Sequence, residues 1–210
     1  MEVRLIDLVK LFGEPQQLIG RRLDVPIGRV SIDSRNFEKG NFFVPIIGKK
    51  FDGHKYLNEV TEAGAQAALI SKNCILPVPR ELLHWRVEDT LEAFQLLALN
   101  HRRSLLIPVV AITGSVGKTT TKELIKSVLK PLGNITASKK NNNNDIGVPL
   151  TLLSATSADS AIVVEMGMRG FGQIERLSKC TRPDVAVITN IGSAHIALLG
   201  SRRNIALAKM

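Results

Sequence analysis

The chain has 210 residues, of which 44% are hydrophobic, 22% charged and 4% aromatic, and its formal net charge at pH 7 is +9. This length and composition are typical of a globular α/β protein with one large or two small domains. The apolar runs are far shorter than the roughly 20 residues of a membrane-spanning helix, which argues against a membrane span. The basic residues form scattered pairs without an aromatic stripe or a recognition helix, which argues against a nucleic-acid-binding protein.

The first half of the chain is predicted to mix helices and strands. Apolar residues at helical spacing predict a helix over residues 1–12 that ends at Gly13. Acidic residues inside this stretch argue against a signal peptide, and the two isolated cysteines, Cys74 and Cys180, are typical of a reducing cytoplasm, so a cytoplasmic location is expected. The later elements predicted in this half are strands at 30–33 and 41–47 joined by a turn at Lys39-Gly40, a helix at 56–64, strands at 67–70 and 85–87, and a helix at 90–103.

The second half is predicted to alternate strands and helices. The predicted elements are strands at 109–113, 134–137, 161–166 and 184–190, with helices at 118–130, 173–179 and within the segment between 137 and 161. Such alternation predicts a parallel sheet with helices on both faces. We therefore predict an α/β fold of two domains, residues 1–105 and 106–210, with the boundary near 104–108.

A glycine-bearing turn between the strand at 109–113 and the following helix is the most informative segment. Gly114, Gly117, Lys118 and Thr119 fit the second half of the phosphate-loop pattern G-x-x-x-x-G-K-[ST], although Ile112 stands where that pattern has its first glycine. Backbone amides and a helix N-terminus in this context favour phosphate binding. Lys118 is predicted to reach the terminal phosphates, and the Thr119 hydroxyl to bind Mg²⁺. The nucleotide-binding residues predicted here are Gly114, Ser115, Val116, Gly117, Lys118, Thr119 and Thr120.

Polar residues at the ends of the next two predicted strands are further candidates, because ligands of open α/β sheets bind at the carboxyl ends of the strands. Glu165 follows a buried strand and is placed to hold Mg²⁺, directly or through water; the alternative is a pairing with a nearby lysine or a helix N-terminus. His195 follows the last strand and is either a metal or phosphate contact or an ordinary loop histidine. The run of four asparagines from Asn141 is, taken alone, a solvated turn.

Several stretches together resemble the Mur ligases, a family of ATP-dependent amide ligases that build the peptidoglycan stem peptide. The Asn-rich stretch is the most specific, and it is similar to that of the members that use D-Ala-D-Ala. The stretches that carry the resemblance are 113–123, 141–153, 165–174 and 182–195 in the second half, with Asp33-Ser34-Arg35, Gly40, Phe43-Val44 and 51–54 in the first.

The resemblance implies a UDP-muramoyl-peptide-binding first domain and an ATP-binding second domain. It implies an enzyme that adds D-Ala-D-Ala to UDP-N-acetylmuramoyl-tripeptide through an acyl phosphate, with ATP and Mg²⁺. The site residues that it implies are Lys118, Glu165, His195 and Lys209 in catalysis, Thr119, Glu165, His195 and Lys209 around metal, and Ser34, Arg35, Asn143 and Asn144 on the substrate. Lys209 ends the motif Ile205-Ala-Leu-Ala-Lys209, whose lysine is carbamylated in the family.

Members of the family continue beyond the position that corresponds to Met210, so the resemblance also predicts a truncated ligase with little turnover of its own. Three other functions stay open. They are a non-catalytic UDP-sugar or nucleotide-binding module, a ligase similar to folylpolyglutamate synthase, and a generic phosphate-loop kinase. Neither of the latter two uses a UDP-binding first domain such as residues 28–54 suggest. The third residue of the stem peptide and the oligomeric state cannot be inferred from these motifs.

Overall fold

The structure is a computed structural model that describes residues 2–17, 26–139 and 141–210. It contains two compact units, which divide between Phe94 and Gln95. The division falls within one long helix. The predicted domain boundary, between 105 and 106, lies further along the chain at the end of that helix, and as a statement about domains it stays a prediction.

The first unit is built on a five-stranded sheet. Its elements are β1 (Glu2–Arg4), α1 (Leu5–Phe12), β2 (Pro26–Ser31), β3 (Phe42–Phe43), β4 (Ile47–Gly48), β5 (Phe51–Asp52), a 3-10 helix (Gly53–Tyr56), α2 (Leu57–Glu62), β6 (Ala67–Ser71), β7 (Leu83–Val87) and the start of α3 (Thr90–Ser104). The sheet has the order β1-β2-β3-β6-β7, in which only the β1–β2 pair is antiparallel. Strands β4 and β5 form a separate antiparallel pair.

Two predictions for this unit were wrong in part. The predicted helix over 1–12 begins as a strand, because Val3 is fully buried and pairs with Ile27 of β2. Three residues are too few to show a strand periodicity, so their apolar spacing predicts only the helix that follows. The predicted strand over 41–47 is broken after Phe43, since Pro45 has no N–H for a sheet ladder.

The hydrophobic core of the first unit lies against the parallel part of its sheet. One buried cluster joins Phe43, Leu57, Val60, Ala68, Ile70 and Leu82. Trp85 of β7 is also buried, packs edge-to-face on Phe42 with ring centroids 6.0 Å apart, and donates its indole N–H to Gly13 O. The ring contact joins β3 to β7, and the hydrogen bond joins β7 to the residue that follows α1.

The second unit contains an entirely parallel four-stranded sheet, which confirms the predicted α/β fold class. Its elements are the end of α3, β8 (Val109–Thr113), α4 (Lys118–Leu129), a 3-10 helix (Lys130–Leu132), β9 (Asn134–Ala137), α5 (Gly147–Ser154), β10 (Asp159–Glu165), α6 (Gln173–Thr181), β11 (Val185–Ile188), α7 (Ile196–Leu199) and α8 (Arg202–Lys209). The sheet order is β11-β8-β10-β9.

The register of this sheet brings three strand ends together. Glu165 at the end of β10 lies opposite Ile112 of β8, and Ile188 at the end of β11 lies opposite Thr113. The segments that follow these strands therefore meet at one edge of the sheet. Among the described residues, no helix is both long enough and apolar enough to cross a lipid bilayer.

Candidate functional site

The phosphate-loop segment forms a tight turn between β8 and α4. Gly114 and Gly117 have φ values of +146° and +85°, a region that favours glycine. A Cβ on Gly114 would overlap Thr189 Oγ1, so a larger residue would displace the Thr189 side chain. Ile112 is a fully buried residue of β8 and not part of the turn, which explains why the first glycine of the stricter pattern is absent.

The segment after β11 holds this loop in place, a role that sequence reasoning missed. Asn190 accepts the backbone N–H of Ser115 on its carbonyl oxygen (3.1 Å) and that of Val116 on Oδ1 (3.1 Å). Thr189 Oγ1 donates to Val116 O (2.6 Å), and the N–H of Gly192 donates to Ser115 Oγ (2.9 Å). The amides of the first turn of α4, which follow the loop, have no intrahelical acceptor and are suited to an anion.

Lys118 and Lys209 converge on one acceptor. Both ammonium groups donate to Gly114 O, Lys118 Nζ at 2.8 Å and Lys209 Nζ at 3.1 Å. Burial, together with the charge of Lys118, lowers the pKa of Lys209 from 10.5 to about 8. Lys209 comes from the far end of the unit, on α8, so its place beside the phosphate loop could not be read from spacing. Two like charges at one carbonyl favour an anionic ligand.

Glu165 lies at the centre of a small polar network. It is buried at the end of β10, where one carboxylate oxygen accepts from Thr119 Oγ1 (2.8 Å) and the other from Asn143 Nδ2 (2.9 Å). Its backbone N–H donates to Ser138 Oγ (3.1 Å). The predicted pair of Thr119 and Glu165 is therefore adjacent in the structure.

A cavity of about 560 Å³ opens beside this network. Its lining residues are Lys118, Asn141, Asn143, Asn144, Asp145, Gly167, Met168, Arg169, Gln173, His195 and Lys209. The structure thus brings the predicted Lys118, Asn143 and Lys209 to one cavity, together with His195 and Asn144. Asn144 also has a local role, because its Oδ1 accepts the backbone N–H groups of Ile146 and Gly147 at the start of α5. This volume lies within the range of small-molecule binding sites.

The residues present fit a nucleotide phosphate. Besides the two lysines, the buried Thr113 Oγ1 has no hydrogen-bond partner among the described residues, at the strand end where the loop begins. Mg²⁺ prefers oxygen ligands and commonly keeps several waters, so Thr119 and Glu165 suit it. No cluster of three His, Cys, Asp or Glu side chains that could hold a metal ion occurs within the described ranges. The roles predicted for His195 and Lys209 at a metal stay predictions.

The two substrate contacts predicted in the first unit follow β2. Arg35 is exposed and forms a bidentate ion pair with Asp33, with Nη2 to Oδ2 at 2.7 Å and Nε to Oδ1 at 2.8 Å. The Arg35 side chain and its backbone N–H lower the pKa of Asp33 to about 2. Ser34, between them, is half-buried. An exposed guanidinium that is already paired can still contact a phosphate, so the predicted diphosphate contact stays a prediction.

Two family models match the chain, the Mur ligase family catalytic domain over residues 26–102 and the Mur ligase middle domain over residues 112–210. The UDP-N-acetylmuramoyl-tripeptide–D-alanyl-D-alanine ligase of Synechocystis is 42% identical over 186 residues, which are 89% of this chain and 41% of the relative. The Bacillus subtilis ligase of the same name is 42% identical over 86% of this chain and 39% of its own length. The chain thus spans about two fifths of the length of these relatives.

Solved structures agree with these matches. MurF of Acinetobacter baumannii superposes with a TM-score of 0.90 at 34% identity, over 100% of this chain and 45% of that one. A second structure from that organism, of a UDP-N-acetylmuramoylalanyl-D-glutamyl-2,6-diaminopimelate–D-alanyl-D-alanyl ligase, has a TM-score of 0.88. MurF of Thermotoga maritima in complex with ADP gives 0.78 at 34% identity, over 87% of this chain and 42% of its own length. The family models, the relatives and these superpositions agree that this chain belongs to the Mur ligase family.

Proposed function

We propose that the chain contains the UDP-muramoyl-peptide-binding and nucleotide-binding parts of an ATP-dependent ligase that joins D-Ala-D-Ala to UDP-N-acetylmuramoyl-tripeptide. The observation that carries the proposal is the convergence of Lys118 and Lys209 on Gly114 O, with Thr119 and Glu165 hydrogen-bonded beside them. Relatives at 42% identity have this reaction in their names. The ADP complex of the Thermotoga structure supports a nucleotide as the ligand.

Each residue has a definite part in the proposed reaction. MgATP, when bound, supplies the phosphoryl group that converts the tripeptide carboxylate into an acyl phosphate. Lys118 and the amides at the start of α4 hold the phosphate oxygens and neutralise the charge that builds up on them. Thr119 and Glu165 supply oxygen ligands for the metal ion. Unmodified Lys209 adds positive charge at the same place, whereas the carbamylated Lys209 that the resemblance implies would be a ligand of the metal ion.

The second step is an acyl transfer. The amine of D-Ala-D-Ala attacks the activated carbonyl carbon, phosphate leaves with the C–O bonding pair, and the nitrogen loses a proton to give the amide. The residues of the site act by orienting the reactants and by keeping the acyl phosphate away from water. The cavity beside Asn143 and His195 is the space proposed for this acyl group.

The first test is ligand-dependent thermal stability of the 210-residue chain. A ligand that binds only the folded state at a hundredfold excess over its Kd adds about 2.7 kcal/mol of stability. We expect UDP-N-acetylmuramoyl-tripeptide and MgATP each to raise the melting temperature. Lys118→Ala should remove the shift with MgATP, whereas Lys126→Ala, which changes an exposed lysine on the same helix, should retain it.

The second test measures phosphate release from ATP in the presence of both substrates. Release that requires the UDP-muramoyl-tripeptide and D-Ala-D-Ala supports the ligase. Binding of both ligands without any release supports the alternative of a non-catalytic nucleotide-binding module. A folded chain whose melting temperature neither ligand changes would contradict the proposal.

A further inference from the structure

The cavity contains charged groups that the phosphate loop does not explain. Arg169 and Asp145 both line it, from the loop between β10 and α6 and from the segment before α5. Neither residue is part of the Lys118–Lys209 convergence on Gly114 O. The two have opposite charges, so the cavity offers a cation and an anion in addition to the groups that suit phosphate.

The backbone beneath Arg169 is fixed. Gln173, the first residue of α6, accepts the backbone N–H groups of Arg169 and Gly170 on its Oε1, the latter at 3.2 Å. Earlier in the same loop, the N–H of Gly167 donates to Asn143 O at 2.7 Å. The loop is therefore attached at both ends, and the Arg169 side chain begins from a defined position.

The guanidinium of Arg169, in contrast, is exposed and makes no hydrogen bond or ion pair with any residue that the structure describes. The other arginine nearby, Arg176 of α6, does have a partner, since its Nη2 lies 3.5 Å from Asp145 Oδ2. An arginine that lines a cavity on a fixed backbone without a carboxylate partner is suited to a carboxylate ligand, which it can hold through two parallel hydrogen bonds.

Asp145 is also incompletely satisfied. Its Oδ1 is buried without a hydrogen-bond partner among the described residues, and the 3.5 Å separation of Oδ2 from Arg176 is longer than a typical charge-assisted hydrogen bond. A buried carboxylate oxygen without a donor is costly. The Asp145 side chain is still 27% exposed and lines the cavity, so an ammonium group of a ligand can approach the carboxylate from that side.

We propose that Arg169 and Asp145 form a subsite for a zwitterionic amino-acid group on the acid substrate, with Arg169 on its carboxylate and Asp145 on its ammonium. This inference rests on the proposed function and specifies its substrate. A stem tripeptide that ends in 2,6-diaminopimelate, the residue in the name of the second Acinetobacter ligase, carries such a group at the end of its side chain. One that ends in lysine carries only an ammonium group there, so Arg169 repels it.

The test compares the Kd values of two UDP-N-acetylmuramoyl-tripeptides, one ending in diaminopimelate and one in lysine, for the full chain. We expect the wild-type chain to bind the diaminopimelate form about tenfold more tightly, since a charge-assisted hydrogen bond contributes about 1.5 kcal/mol or more. Arg169→Met should abolish this preference, and Arg169→Lys should retain part of it. Asp145→Asn should weaken both tripeptides by a similar factor, because both carry an ammonium group.

Arg203→Met is the matched control, since Arg203 is an exposed arginine of α8 that does not line the cavity. It should leave both Kd values unchanged. A preference for diaminopimelate that survives in Arg169→Met overturns the subsite, and so does equal binding of the two tripeptides by the wild-type chain. Weaker binding of D-Ala-D-Ala alone in Arg169→Met overturns it as well, because the carboxylate then belongs to the acceptor. If neither tripeptide binds the wild-type chain, the proposed function fails with it.

Discussion

The two units differ in how completely their buried polar groups are hydrogen-bonded. In the first unit, these groups have partners from the chain. His54 uses both ring nitrogens, Nδ1 on Asp52 at 2.6 Å and Nε2 as acceptor of the Ser71 N–H at 2.9 Å. The ring nitrogens of His84 bond Leu82 O at 3.0 Å and the side chain of Gln16 at 2.8 Å.

In the second unit, some of the buried groups around the phosphate loop and its cavity have no such partner. Thr113 Oγ1 and Asp145 Oδ1 are buried without partners within the described part of the chain, and Lys118 and Lys209 share Gly114 O. Buried polar atoms are nearly always paired in proteins, so a local concentration of exceptions indicates where a ligand completes the structure. The contrast teaches that satisfied buried groups stabilise a fold, whereas unsatisfied ones identify a candidate site.

The largest expected effect is on binding. Lys118→Ala removes the ammonium group that we propose binds the phosphates, and we expect it to lower the affinity for MgADP at least a hundredfold, about 2.7 kcal/mol or more. Isothermal titration calorimetry measures the Kd, and the urea midpoint shows whether the fold is retained. An unchanged affinity would refute the phosphate-loop assignment and remove the proposed difference between the units.

The next effect is on stability in the first unit. His84→Leu should lower the free energy of unfolding by about 1–2 kcal/mol, because it removes the hydrogen bonds from the buried His84 ring to Leu82 O and to the exposed side chain of Gln16. Urea denaturation measures the loss. Arg86→Leu, at an exposed position of the same strand, should change stability by less than about 0.5 kcal/mol. Equal losses in the two variants would show that the His84 network is not stabilising.

Lys209→Met, unlike His84→Leu, should raise the free energy of unfolding. Because the pKa of Lys209 in the folded chain, about 8, lies below its ordinary value of 10.5, the unfolded chain holds the proton more tightly. Stability is therefore reduced below pH 8 and rises between about pH 8 and 10.5. The substitution should raise the free energy of unfolding at pH 7 by about 1 kcal/mol and flatten this pH dependence. Urea midpoints of both proteins at pH 7, 8, 9 and 10 give the comparison. A parallel pH dependence in the variant would show that Lys209 is not the titrating group.

The smallest effect comes from a matched pair of buried threonines. Thr90 Oγ1 in the first unit donates to Pro45 O at 2.6 Å, whereas Thr113 Oγ1 has no partner among the residues described. Thr90→Val should cost about 1 kcal/mol, and Thr113→Val should be neutral or stabilising by up to about 1 kcal/mol. Differential scanning calorimetry resolves the difference in sign. A loss of the same size in both variants would contradict the distinction between the two units.

Most of the second sheet could be predicted from the sequence. The strands at 109–113 and 134–137 have the predicted bounds, and the helix that follows the phosphate loop begins at Lys118 as predicted. These elements are long or sharply bounded, so their local pattern is unambiguous. The first unit was predicted less well, because several of its strands have two or three residues and depend on their neighbours for pairing.

The candidate site also has a part that local sequence predicts and a part that depends on contacts between distant residues. The phosphate loop is a local motif, and residues of the right type in a strand–turn–helix context were enough to predict it. Thr189 and Asn190, which hydrogen-bond the loop, belong to no recognisable sequence motif. They reach the loop because β11 pairs with β8. The strand order that brings them there depends on contacts between distant parts of the chain.

Sequence patterns were enough to predict the α/β class, the strand–turn–helix context of the phosphate-loop motif and the family resemblance, because each depends on residues that are close together in the chain. Three contacts could be found only from the folded chain: Lys209 lies beside Lys118, Glu165 accepts hydrogen bonds from Thr119 and Asn143, and Arg169 lines their cavity. The physical reason is that a parallel sheet brings separate strand ends to one edge, where side chains that are far apart in sequence share one cavity and modify one another's charge.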